Sequence, residues 1–347
     1  MTLLPPPKPI SEAGPVDFAR FHEEIRPARQ PVVMRGLAHD WPGVAAARAG
    51  NGEIARYLLQ FRPKRNVGGI MIPPEAEGRF FYNADLTGLN FTSHEGRLDA
   101  FLGELLKLAE EPRPNGMAVQ SERIPELLPG FVEANPMPLV RQVVPRIWIG
   151  NRIRVAPHYD LMENIGVCLA GRRRFTVFPP EQLPNLYAGP FELTPAGTPV
   201  SMVDPQSPDL GRYPRFAEAW QHAQQATLEP GDALYIPYAW WHGVDALEPV
   251  SILVNYWWNE APEGSGGGYD ALLHAMLAYR HLPADERAVW RGMFEHYIFG
   301  DADPAGHLPP HAKGIMGPPS PRLFHQMREM LRRALSYPPR ASRSHDP

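Results

Sequence analysis

Cysteine is nearly missing from this 347-residue chain, which carries a single one, Cys168. A lone thiol excludes an internal disulfide framework and any zinc site built from several cysteines. A metal, if one is held, must therefore rest on histidines and carboxylates. The same scarcity fits a reducing compartment, and the cytoplasm is the expected location. Long apolar runs are missing as well: nothing approaches the roughly 20 residues of a membrane span. The opening "MTLLPPPKPISEAGPVDF" has neither the basic start nor the continuous apolar stretch of a secretory signal, so no membrane is expected among the partners. Neither sign of charge dominates, since 34 Lys+Arg stand against 38 Asp+Glu for a formal net charge of -4. That balance gives no electrostatic reason to expect nucleic acid. Internal repeats are absent too. What remains is an ordinary globular composition, 44% hydrophobic and 21% charged, able to bury a sizeable core.

Proline is abundant, at 42 residues, but falls mainly between periodic segments and so reads as turns and connections. Helical spacing appears at Leu98, Phe101, Leu102, Leu105 and Leu106, before Pro112. It returns at Val289, Trp290, Met293, Phe294, Tyr297 and Ile298, and a third candidate runs Leu323, Phe324, Met327, Met330, Leu331. The middle of the chain differs. "QVVPRIWIGN", "IGVCLAG", "RRFTVFPP", "DALYIPYAWWHGV" and "VSILVNYWW" are short, rich in β-branched or aromatic residues, and separated by Gly or Pro. They predict an antiparallel, turn-rich β core over about residues 140–260, inside a domain spanning 1–260. "PEGSGGG" then forms a flexible joint to a helical module at 269–336, and 337–347 reads as a disordered tail.

Inside the β core, "PHYD" places His158 and Asp160 two apart. The strand period of two sends both to one face, which suits two ligands of one metal ion. Alone the pair means little, because about one His-x-Asp/Glu match is expected by chance in a chain of this composition. The other match, His22 with Glu24, reads as a solvent-facing helical segment. Company raises the first: "PGDALYIPYAWWHGV" is a second strand, and it ends in His242. Two histidines and a carboxylate form a facial triad that leaves positions open on iron(II) for substrate and oxygen. Oxygenases of this kind commonly use 2-oxoglutarate, whose distal carboxylate needs a cation. "GVDALEPVSILVNYWWNEAPEG", after His242, supplies none. The strand after the His-x-Asp strand offers Arg172, Arg173 and Arg174. Alternation lets one or two of them face the cavity; if Arg173 does, Phe175 and Val177 share its face and the other two point outward. Guanidinium suits the task, since it stays charged and can grip a carboxylate with two donors.

These residues resemble the Jumonji C, or cupin-like, family of iron(II)- and 2-oxoglutarate-dependent dioxygenases, in the branch of the asparaginyl hydroxylase of hypoxia-inducible factor. The likeness is carried by "PHYD" with Asn164, then "FTVFPPEQLPNLY", "PGDALYIPYAWWH" and "VNYWW", with "QPVVMRGLAHDWP" near the start. It covers roughly residues 30–260. The resemblance implies a mainly β fold with flanking helices, a double-stranded β-helix (jelly roll) with the metal at its open end. It implies that His158, Asp160 and His242 hold iron(II), and that the protein is a hydroxylase consuming 2-oxoglutarate and O2 and releasing succinate and carbon dioxide. By position, Arg173 takes the place of the lysine that meets the distal carboxylate. Asn164 and Asn255 match asparagines near the co-substrate, and Val155 stands where a hydroxyl-bearing residue is often found. A helping tyrosine is assigned to Tyr82 in "GRFFYNADL". Through the C-terminal helices, the resemblance also implies a homodimer.

Two other readings remain open at this stage: a non-redox metalloenzyme on the same β fold, and a non-catalytic metal-binding protein. The aromatics near the motifs, Phe175, Trp240, Trp241, Tyr256, Trp257 and Trp258, read as core packing. The substrate, a protein side chain or a small molecule, is not written in the motif strands, and neither is the choice between hydroxylation and demethylation. Residues 181–230 are too long for a hairpin and read either as a binding or lid element or as a wrap over the barrel.

Overall fold

The computed structural model describes residues 4–336, which excludes the stretch expected to form the tail. The chain falls into two compact units, one ending at Asn259 and the other beginning at Glu260.

Eight strands make the heart of the first unit: β1 (Arg146–Gly150), β2 (Arg154–Tyr159), β3 (Glu163–Ala170), β4 (Arg173–Phe178), β5 (Gln224–Leu228), β6 (Ala233–Ile236), β7 (Trp241–Ala246) and β8 (Ser251–Trp258). They are shared between two sheets, in the order β5-β4-β7-β2 in the smaller and β6-β3-β8-β1 in the larger, all paired antiparallel, with successive strands changing sheet except at β4–β5. This is the double-stranded β-helix expected from the sequence. Further strands lengthen both sheets. Gly116–Arg123, Asn66–Ile72 and Thr92–Arg97 follow β1, while Val32–Met34, from the "QPVVMRG" segment, pairs with β6.

Alternation decides which residues go where. On β8, Ile252, Val254 and Tyr256 point away from the barrel, as do Ile165, Val167 and Leu169 on β3. They pack against helices Pro42–Ala49, Asn51–Leu59 and Leu98–Leu108, burying Val44, Leu58, Leu102 and Leu105. The opposite face carries Leu253 and Cys168, which meet Phe175, Val177 and Val244 from the smaller sheet inside the barrel. The outer side of the smaller sheet is covered by the long insert. Phe178 and Trp241 pack there on Leu186, Val203, Phe216 and Ala219. The sharp turn between β3 and β4 requires Gly171, which has φ +70 and lies where a Cβ would come within 2.5 Å of the Val250 carbonyl.

The second unit contains helices Gly268–Tyr279, Ala284–Phe294 and Pro321–Ser336. Tyr279 contacts Trp290 and Phe294 within it, with ring centroids 4.5 and 5.4 Å apart. Many of its large apolar side chains, including Leu277 and Phe299, are exposed. Among the described residues, no helix is long and apolar enough to cross a membrane.

Candidate metal centre

His158 and His242 are direct partners across the β2–β7 ladder, with ring centroids 4.3 Å apart. The register slips between them and the next pair, Val155 and Val244, so that Ala156 and Pro157 lie opposite Gly243 alone. This bulge turns His158 to the same interior face as Val155, and proline, having no N–H to lose, is suited to it. Gly243 leaves the needed room, since a Cβ there would sit 3.2 Å from Pro157 Cγ. Asp160 falls one residue past the end of β2 rather than on the strand. Even so, the three residues present donor atoms that all lie within 4.8 Å of one another.

Each histidine is fixed by its own backbone. His158 Nδ1 meets the Ala156 carbonyl at 3.0 Å, and His242 Nδ1 meets the Trp240 carbonyl at 3.1 Å. A carbonyl only accepts, so Nδ1 carries the proton in both rings and Nε2 keeps its lone pair for the centre. Burial, helped by the neighbouring His242 and opposed by Asp160, lowers the His158 pKa to about 4. The ring is therefore neutral near pH 7 and ready to bind a cation. Asp160 Oδ2 lies 3.5 Å from His242 Nε2 and accepts hydrogen bonds from Trp257 Nε1 at 3.0 Å and Asn164 Nδ2 at 3.4 Å. Asn255 continues the chain, donating to Asn164 Oδ1 at 3.3 Å and accepting from Trp148 Nε1 at 2.8 Å. Two imidazoles and one carboxylate, tied behind by such partners, are a fitting donor set for one divalent metal with positions left open.

The triad opens on a cavity of about 450 Å³ inside the barrel, lined also by Asn164, Asn255, Val155 and Arg173. Arg173 Nε donates to Ser251 Oγ at 2.9 Å, and Nη2 to the Ser251 carbonyl at 3.4 Å. Among the described residues no carboxylate pairs with it, and burial draws its pKa down to about 10, partly offset by Cys168. Its neighbours have different fates: Arg172 pairs with Glu248 at 2.6 Å and Arg174 with Asp245 at 2.8 Å. One arginine of the three is thus a partly buried cation facing the cavity, with no carboxylate partner among the described residues. Phe175 shares the cavity face.

Tyr82 is placed elsewhere. It is buried beside Ala156 and Val200 and lies outside the cavity lining. Of the 181–230 segment, Pro195, Ala196 and Gly197 line the cavity, Leu186, Val203, Phe216 and Ala219 pack on the outer side of the smaller sheet, and Gln224–Leu228 is itself a strand of that sheet. Core packing does not describe Trp257, whose N–H holds Asp160, and Trp148, not singled out in the sequence, holds Asn255 through its own N–H. The available signal was alternation, since Trp257 is two residues after Asn255 and must share its face.

Comparison with known proteins agrees with this architecture. The model of the cupin-like domain matches residues 18–264. The chain belongs to that family. It is 31% identical over 271 residues to "Lysine-specific demethylase JMJ31" of Arabidopsis thaliana, covering 69% of this chain and 48% of the relative. With "Lysine-specific demethylase 8" of Xenopus tropicalis it shares 34% identity over 253 residues, 69% of this chain and 50% of the relative. A shorter match, 37% over 115 residues, links it to human "HSPB1-associated protein 1", covering 32% of this chain and 22% of that protein. The chain thus spans half or less of the length of these cupin-like relatives.

Proposed function

We propose that this protein is an iron(II)- and 2-oxoglutarate-dependent oxygenase that hydroxylates a protein side chain or a small molecule. The observation that carries the reading is the pairing, in one cavity, of the His158–Asp160–His242 group with a partly buried, desolvated guanidinium, Arg173, that has no acidic partner among the described residues. A buried unpaired charge is costly, and a dicarboxylate with one end at the metal and the other at Arg173 removes that cost.

Bound at the triad, iron(II) with 2-oxoglutarate and O2 supplies oxidative hydroxylation of a C–H bond with release of succinate and carbon dioxide. The residues of the chain do the holding. His158 and His242 offer lone pairs fixed by backbone carbonyls, and Asp160 brings the negative charge, its orientation set by Trp257 and Asn164. Arg173, steadied by Ser251, receives the distal carboxylate with its remaining donors. Val155 cannot add a hydrogen bond to that carboxylate, which leaves Arg173 as its principal anchor. Apolar walls from Phe175, Val244 and Leu253 keep water from the space between. Relatives in the family carry names as different as lysine demethylase and "tRNA wybutosine-synthesizing protein 5", so the substrate must be argued from the cavity itself.

Anaerobic titration of the metal-free protein with iron(II) and 2-oxoglutarate tests the reading through the visible charge-transfer band of the chelated complex. The band is expected only with both additions. Asp160→Ala abolishes it, Arg173→Gln weakens 2-oxoglutarate binding by roughly 100-fold, and Arg174→Gln, whose arginine already has a partner, changes it by less than about threefold. Tight metal binding without a band would overturn the 2-oxoglutarate assignment.

A further inference from the structure

Next to the cavity, against its lining residues Ser121 and Trp257, stands a cation that neither the metal centre nor the co-substrate anchor uses. Arg146 opens β1 two residues before Trp148, so both side chains leave the sheet on its interior face. Arg146 Nη1 donates to the Ser121 carbonyl at 2.8 Å and to Ser121 Oγ at 3.1 Å. Its guanidinium carbon lies 6.0 Å from the centre of the Trp257 ring, the same ring whose N–H holds Asp160. No carboxylate among the described residues pairs with Arg146, and its Nε and Nη2 have no hydrogen-bond partner among them.

The backbone beside it is shaped for display. The strand Gly116–Arg123 slips register between Val119 and Glu122, and Ser121 there takes the left-handed conformation at φ 54. Strained non-glycine residues in bulges next to a cavity persist where surrounding contacts hold them, and they re-aim side chains. Here Gln120 and Ser121 both reach the cavity lining. The nearby acid is turned to other work: Glu122 pairs with Arg65 and accepts from the Gly68 N–H. Apart from Asp160, the cavity lining contains no carboxylate among the described residues. A cationic side chain entering this space would pass Arg146, which stands behind the lining residue Ser121, and meet Arg173 inside, with no free acid to pair with. An anionic group would meet a guanidinium with two spare donors beside a serine and a glutamine, a setting suited to carboxylate.

We propose that the substrate of this enzyme carries a carboxylate, received beside the cavity by Arg146 with Ser121 and Gln120, while a neutral part of the substrate enters toward the metal centre. The proposal rests on the oxygenase reading and narrows it to acidic substrates, with an acidic residue of a protein or a free carboxylic acid as the two sources of the same chemistry.

The test measures succinate formation by the iron-loaded protein, with saturating 2-oxoglutarate, on short peptides identical except for Glu, Gln or Lys flanks, and on N-acetylglutamate as the free carboxylate. The Glu peptides are expected to show a KM at least about tenfold below the Gln peptides, an advantage that shrinks as salt is raised. Arg146→Gln removes that advantage by raising KM far more than it lowers kcat, and Arg146→Lys restores part of it, a split that loss of the bulge alone would not give. Stronger turnover of N-acetylglutamate than of any peptide assigns the small-molecule source. Equal KM across the three flanks, or a preference for Lys, overturns the proposal. The same peptides are also titrated onto the metal-free protein by calorimetry, where preference for Glu must again depend on Arg146. That arm decides the carboxylate subsite even if no peptide is turned over, while the oxygenase reading stands or falls separately on the charge-transfer band.

Discussion

The two faces of the larger sheet follow different rules. Outward, Ile252, Val254 and Tyr256 of β8 are joined by Ile165 and Val167 of β3 in an unbroken apolar layer under the helices. Inward, on the same two strands, stand Asn255, Trp257 and Asn164, linked by hydrogen bonds to one another or to Asp160. Asn255 is 1% exposed and Asn164 6%, so neither is there for solubility. Burying an amide costs free energy unless its partners are supplied, and here each partner leads back to the candidate metal ligands. One face is organised for stability; the other spends some of that stability on a site.

Substitution can separate the two faces. Ile252→Ala, on the fully buried outer face, is expected to lower unfolding free energy by about 2–5 kcal/mol, measured by denaturant titration of the metal-free protein. Metal affinity of the folded fraction should stay the same. An equal loss of metal affinity would show that the outer layer also positions the triad.

Trp257→Phe works in the other direction and with a smaller effect. The ring's bulk is kept while the N–H to Asp160 Oδ2 is lost, and removal of such a partner from a metal ligand typically weakens binding by roughly 10–100-fold. Calorimetric titration with cobalt(II) as a redox-stable substitute is expected to show that loss, with stability changed by less than about 1 kcal/mol. Unchanged affinity would return Trp257 to the role of packing that its sequence context implied.

How far the site could be read in advance follows from the same contrast. His158 and His242 stood out because histidine is rare in apolar strands, and Phe175 joins Arg173 on the cavity lining as alternation required. The partition of Arg172, Arg173 and Arg174 was foreseen as a choice, but their partners, Glu248 and Asp245, lie more than 70 positions away and only the fold brings them in. The bulge at Ala156–Pro157 was hidden because periodicity assumes a regular ladder. Arg146 was hidden for a related reason, since it gains meaning only from the slipped strand Gly116–Arg123 beside it, a part of the chain whose mixed pattern gave little to read. Tyr82 was chosen by local motif, and its strand neighbourhood placed it outside the cavity.

The smallest expected effect tests whether the inward face is as dry as the outward one. His158 has its pKa drawn from 6.5 down to about 4, by burial first, then by repulsion from His242 against the attraction of Asp160. Between those two values the unfolded chain binds more protons than the folded one, so stability rises with pH through that window and is fully present above about 6.5. The metal-free protein should therefore lose thermal stability between about pH 7 and about pH 5, and His158→Asn, which has no proton to take up there, should lose less over the same interval. Metal saturation should widen the difference between wild type and variant near neutral pH, since the neutral His158 offers a metal ligand that the variant lacks. If both metal-free proteins decline in parallel, His158 is hydrated in the folded state, and the polar face of the sheet owes its order to the hydrogen-bond chain from Trp148 to Asp160 rather than to exclusion of water.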